Sequence, residues 1–131
     1  MDGPRHPHDL TLPGHHHRPL PAWSTLLVGP VPPDDVGCQS DRLQVWFNDT
    51  DRSWSDSAPH LHRESDELFV ALDGEIVVTV GDERVTIGPG EFCFFPAGVV
   101  HNVVETHPPM RSLMIRAPAV ADKVYEPEAR A

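Results

Sequence analysis

Three side chains able to hold a metal ion stand close together in this chain: His60, His62 and Glu67. Imidazole and carboxylate are donors for borderline-to-hard divalent cations. Residues two apart on a strand share a face, so an extended 60–62 segment points His60 and His62 the same way. Glu67 opens the next apolar run, and its face also carries Phe69 and Ala71. The three read equally as polar groups at the mouth of a strand, and a fourth donor bears on the choice. His101 follows a segment in which Gly90 and Pro96-Ala97-Gly98 shape turns around a strand. Antiparallel pairing can set it beside His60 and His62.

Strands are what must position these groups. Short runs rich in β-branched and aromatic residues recur at 25–29, 43–47, 67–72, 75–80, 84–88, 92–95, 99–104 and 112–117. Gly, Pro and Asp punctuate them. Asp73-Gly74 and Gly81-Asp82 read as tight hairpin turns, and Gly88-Pro89-Gly90 is a turn no helix tolerates. No long stretch keeps a helical period. The fold class is all-β, a sandwich or barrel. Phe69, Phe92, Phe94 and Phe95 are expected in the core, with Cys93 as a small buried hydrophobe. The runs 68–72 and 92–95 are apolar on both faces, whereas a strand with one wet face alternates. A second copy of the chain is the expected cover, which predicts a homodimer.

Length and composition set the frame. The 131 residues fit one domain with one core. Residues 1–22 are rich in Pro and His without hydrophobic period and read as a flexible arm; 23–118 form the β-domain; 119–131 read as a C-terminal tail. The net charge is −10, and the acid excess falls almost entirely within 23–118. An acidic face disfavours nucleic acid and anionic membrane as partners. Two cysteines without C-x-x-C spacing, no apolar run long enough for a membrane span and no apolar leader segment point to the cytoplasm.

Two ordered blocks carry a resemblance. His60, His62, Glu67 and Gly74 form H-x-H-x4-E-x6-G, and Gly90, Pro96, Gly98 and His101 form G-x5-P-x-G-x2-H. Together, with the spacer 75–89 between them, they resemble the two motif blocks of the cupin superfamily. Trp54 and Glu105 stand where the family often has Gly and Asn, and neither is a ligand position. The resemblance implies a double-stranded β-helix, a jelly-roll barrel of two antiparallel sheets. It also implies one divalent metal ion per chain, held by His60, His62, Glu67 and His101. Fe2+ is favoured, with Mn2+, Zn2+, Ni2+, Co2+ and Cu2+ as alternatives. Four protein ligands leave an octahedral ion about two open positions.

Other residues are candidates for the surrounding pocket. Phe69 and Ala71 share the face of Glu67. Gln44 and Trp46 share one face of 43–47, opposite Leu43, Val45 and Phe47, and parity alone leaves open which face looks inward. Arg84, Arg111 and Arg116 are candidates for a substrate carboxylate, against the simpler reading of a solvated strand face. Lys123, the single lysine, falls in the tail, which argues against Schiff-base chemistry. The expected function is a metal-dependent enzyme acting on a small anionic or chelating organic substrate, with dioxygenase-type oxygen chemistry first. An isomerase, epimerase or lyase using the same ligands is the alternative, and a non-catalytic ligand-binding cupin is the third reading.

Overall fold

The computed structural model describes residues 14–30, 37–56 and 58–125. Residues 1–13, the larger part of the expected arm, lie outside the described residues. Residues 14–22 carry no strand and are mostly exposed. Nine strands and no helix make up the described chain: β1 (Thr25–Gly29), β2 (Cys38–Gln39), β3 (Gln44–Thr50), β4 (His60–His62), β5 (Asp66–Val80), β6 (Glu83–Ile87), β7 (Phe92–Phe95), β8 (His101–Ala117) and β9 (Lys123–Tyr125).

The two sheets expected are hydrogen-bonded into one. The path runs β2-β1-β3-β8-β4-β9, with β5 joined to β6, β7 and β8, and it does not close on itself. All pairings are antiparallel except β1 with β2. The cause lies in β5 and β8, of 15 and 17 residues, which continue through irregularities instead of ending at them. Asp73-Gly74 is therefore a bulge within β5 and not a hairpin turn: register shifts flank it where β5 runs along β8. Gly74 has φ of 73°, and a Cβ there would lie 2.6 Å from the His107 carbonyl oxygen and 2.7 Å from that of Pro109. Only glycine fits so close an approach at that φ. The other expected hairpin forms: Val80 pairs with Glu83 across Gly81-Asp82, with Gly81 at φ 58°. Glycine first in a two-residue loop is the II′ signature.

Register sorts side chains into two faces. Inward, Gln44, Arg116, Glu67 and Phe95 stand side by side, and the next row holds Trp46, Met114, Phe69 and Cys93. Below them Phe69, Ala71, Ile76, Val78, Ile87, Phe95, Val103 and Met110 make the core cluster. Outward, Val45, Ile115, Leu68 and Phe94 form one row, and Phe47, Leu113, Val70 and Phe92 the next. Phe92 is 70% exposed and Phe94 52% exposed. These two are not core, because alternation along β7 turns Cys93 and Phe95 inward and the other two rings out.

Candidate metal centre

The segment β4 and the start of β8 bring the histidines together. His60 pairs directly with His101, and His62 lies two residues along the same strand. Glu67 arrives from β5 after a bend held by Asp66, whose carboxylate accepts from the Ala97 amide at 2.9 Å. The Gly98 amide donates to the His62 carbonyl at 2.7 Å. The Pro96-Ala97-Gly98 turn of the second motif is thus fastened to the first. One ligand atom from each of His60, His62, Glu67 and His101 lies within 4.8 Å of the others. All three histidines are buried.

The ring orientations follow from hydrogen bonds on the far side. His60 Nδ1 lies 3.2 Å from the Ala58 carbonyl, and His101 Nδ1 lies 3.0 Å from that of Val99. A carbonyl only accepts, so each Nδ1 carries the proton. His62 Nδ1 lies 2.9 Å from Asp122 Oδ1. Burial alone would raise the Asp122 pKa, but Ser65, the Glu64 amide and His62 outweigh it and hold the carboxyl down at about 2. It is therefore an acceptor too. With every Nδ1 donating outward, the neutral rings turn bare Nε2 lone pairs inward. They meet Glu67 Oε1 at 2.8 Å from His101 Nε2 and 3.5 Å from His62 Nε2.

Such convergence suits a cation. Lone pairs that face one another without a proton repel, and a divalent ion satisfies all four at once. The remaining electrostatics agree. Burial pushes the Glu67 carboxyl up, but the imidazoles facing it, His101 first, more than offset this whenever they take up a second proton, so the carboxyl ionises below the ordinary range. Burial lowers the His60 pKa, favouring the neutral ring that ligation needs. Phe95 stacks on the His101 ring at 4.1 Å and meets Phe69 edge-on at 4.9 Å, forming an aromatic wall.

A cavity of about 290 Å³ opens over these ligands. Gln44, Trp46, Phe69 and Arg116 line it, which settles the inward face of β3. Ala71 does not. It shares the inward face with Glu67 and Phe69, but it lies further along β5 in the core cluster, fully buried. Two of the three candidate arginines are elsewhere. Arg84 pairs with Glu105 at the surface, and Arg111 lies over the Phe47 ring near Asp49 and Asp73.

The described part of the segment read as a tail, 119–125, contributes to the site, and residues 126–131 lie outside the described residues. β9 pairs with β4, setting Tyr125 opposite His60 and Lys123 opposite His62. Asp122 is buried, and beyond His62 it binds the Glu64 and Ser65 amides, the Ser65 hydroxyl and Arg116. Val120, Ala121, Asp122 and Lys123 line the cavity. The only hint in the sequence is a β-branched and aromatic pair, Val124-Tyr125, after a polar stretch.

Comparisons with known proteins agree with this architecture. Residues 53–116 match the family described as Cupin domain. No curated protein matches the sequence significantly. Among solved structures, the nucleoside dehydratase Pac13 is similar at 16% identity, over 69% of this chain and 72% of that one, with a TM-score of 0.57; related structures give its source as Streptomyces. KdgF from Halomonas sp. is similar at 16% identity, over 75% and 79%, with a TM-score of 0.55. The DMSP lyase DddQ from Ruegeria pomeroyi DSS-3 is similar at 20% identity, over 80% of this chain and 51% of that one, with a TM-score of 0.54. Both motif blocks fold onto one four-residue cluster, and residues 53–116 of this chain form a cupin domain.

Proposed function

We propose that this chain is a mononuclear metal enzyme using Fe2+ for dioxygenase-type chemistry on a small anionic or chelating organic molecule. The observation that carries the metal is the inward convergence of the Nε2 atoms on Glu67 while each Nδ1 is anchored elsewhere. A bound divalent ion would supply a Lewis-acidic and, as iron, redox-active centre with open positions toward the cavity. The chain supplies the rest. Its backbone carbonyls and Asp122 fix the imidazoles, Phe95 and Phe69 wall one side, and the cavity limits the substrate to a small molecule. One carboxylate against a divalent ion leaves the centre positive, which favours an oxygen anion.

Elemental analysis of protein reconstituted with Fe2+, beside the His60→Ala variant, tests the centre. One ion per parent chain and none per variant is expected, and an empty parent sinks the reading. Oxygen uptake against a panel of small chelating acids tests the reaction; turnover unchanged under strict anaerobiosis excludes dioxygenation. A second reading, Lewis-acid elimination or isomerisation, draws support from two fold neighbours described as a dehydratase and a lyase. Zn2+ in protein as purified, with activity indifferent to O2, would favour it. A chain that holds metal and ligand without turnover would be a binding protein.

The outer apolar rows are proposed to meet a second copy of this chain. Seven apolar residues that keep some exposure adjoin there (Phe47, beneath Arg111, is fully buried), on a chain of net charge −10. Copies of like charge repel least where they meet on an uncharged face, and a two-fold axis lets one face serve both partners. Cys38 and Cys93 are both free, which fits the reducing cytoplasm as the proposed location. Among the described residues no helix is long and apolar enough to cross a membrane.

A further inference from the structure

The cavity holds two cations, Arg116 and Lys123, and their surroundings differ. Arg116 is committed. Its Nη1 donates to the Val120 carbonyl at 2.6 Å, to Ser65 Oγ at 3.2 Å and to Asp122 Oδ1 at 3.2 Å. Its Nη2 donates to Gln44 Oε1 at 3.0 Å. The guanidinium, with a side chain only 13% exposed, ties the 116–122 segment to β3 and to Asp122. A group with both terminal nitrogens so engaged has little left for a substrate.

Lys123 is in the opposite state. It stands on β9 directly across from His62, and Tyr125 stands across from His60. Directly opposed residues of an antiparallel pair project to the same side, so both look over the metal ligands. Lys123 Nζ lies 5.3 Å from the centroid of the Tyr125 ring. A ring face holds an ammonium without neutralising it. Among the described residues no carboxylate pairs with Lys123, while Arg84, Arg111 and Arg116 each have one. The carboxylates that share its cavity are occupied: Asp122 by the network above, Asp56 by the Val103 amide and Glu67 by the histidines.

We propose that Lys123 reads the substrate, its ammonium binding the carboxylate of a small organic acid whose other donor atom occupies the metal centre. The proposal rests on the metal reading above. It narrows the substrate class to acids with a metal-binding group at one end and a carboxylate within reach of the rim. Arg116 then acts only through Asp122 and Gln44.

Two probes that share a metal-binding ring separate the parts: imidazole-4-acetate, which carries a carboxylate, and 4-methylimidazole, which does not. Each is titrated into Co2+-loaded parent, Lys123→Met and Lys123→Arg, following the visible Co2+ spectrum. Lys123→Met is expected to weaken the acid about tenfold and leave 4-methylimidazole unchanged. Lys123→Arg, which keeps the charge, should stay within about threefold of the parent for the acid. An acid affinity indifferent to Lys123→Met overturns the proposal, and so does an equal loss for both probes. A parent chain that takes up no Co2+ removes the metal reading, and this proposal with it. A loaded parent whose acid affinity ignores Lys123 removes this proposal alone.

Discussion

Asp122 does for His62 what backbone carbonyls do for His60 and His101: it accepts the Nδ1–H hydrogen bond and leaves Nε2 free to ligate a metal ion. Asp122→Asn is expected to lower Co2+ affinity about 10–100-fold while all four ligands stay in place, measured by competition with a chelating dye. Asp122→Ala should cost about 3 kcal/mol in urea unfolding, since it strands Arg116, Ser65 and the Glu64 amide. Acid adds a signature. A carboxyl held at about 2, below its ordinary 3.8, stabilises the fold above the ordinary value and loses that contribution as pH falls toward 2. The stability gap between parent and Asp122→Asn should therefore be full above about pH 4 and narrow steadily toward pH 2. The four ligands were legible in the sequence because their spacing within two compact blocks is fixed by local strand and turn geometry. Asp122 was not, because it lies 60 residues from the histidine it orients and only tertiary packing joins them.

At the scale of elements, the runs that became β1, β3, β6 and β7 were legible from β-branched and aromatic content. What the sequence hid was continuity. Asp73-Gly74 carries the composition of a hairpin turn, yet β8 lies alongside and pairs on both sides of it, so the chain bulges and runs on. Gly74→Ala is expected to cost about 3 kcal/mol, read from the denaturant midpoint, because the new Cβ meets two backbone carbonyls. Just past the bulge, Glu75 pairs with His107. His107 lies 2.7 Å from Glu75 and 2.7 Å from Glu105, and these hydrogen bonds, Glu75 first, raise its pKa above 6.5. The bridge therefore favours the folded state fully below the unfolded-state pKa, and the gain is lost as pH climbs through the raised value. A nuclear magnetic resonance titration should place the His107 midpoint above 6.5 in the parent and closer to it in Glu75→Gln. A midpoint unmoved by that substitution contradicts the account.

The whole molecule has two faces of different character. The inner one holds the cavity, and the outer one holds two apolar rows with Phe92 and Phe94 standing in solvent. Sedimentation at micromolar concentration should give a dimer for the parent, and Phe94→Asp should give a folded monomer, since that ring is already 52% exposed in a single chain. A monomeric parent refutes the dimer. Double apolarity of 68–72 and 92–95 pointed to this face, although parity placed half of those rings outside the core. The division of the chain was harder to read, because a three-residue strand such as β9 has too few residues to show a period.

The docking of β9 also orders events in time. Synthesis delivers His60, His62, Glu67 and His101 before it delivers Asp122 and Lys123. A nascent chain can thus assemble the ligand set with one imidazole unsteadied and the rim without its ammonium. Only when β9 pairs with β4 does the His62 ring lock and the cavity gain its wall of residues 120–123. Early metal capture would therefore be loose and exchangeable, and retention would be set once β9 docks on β4.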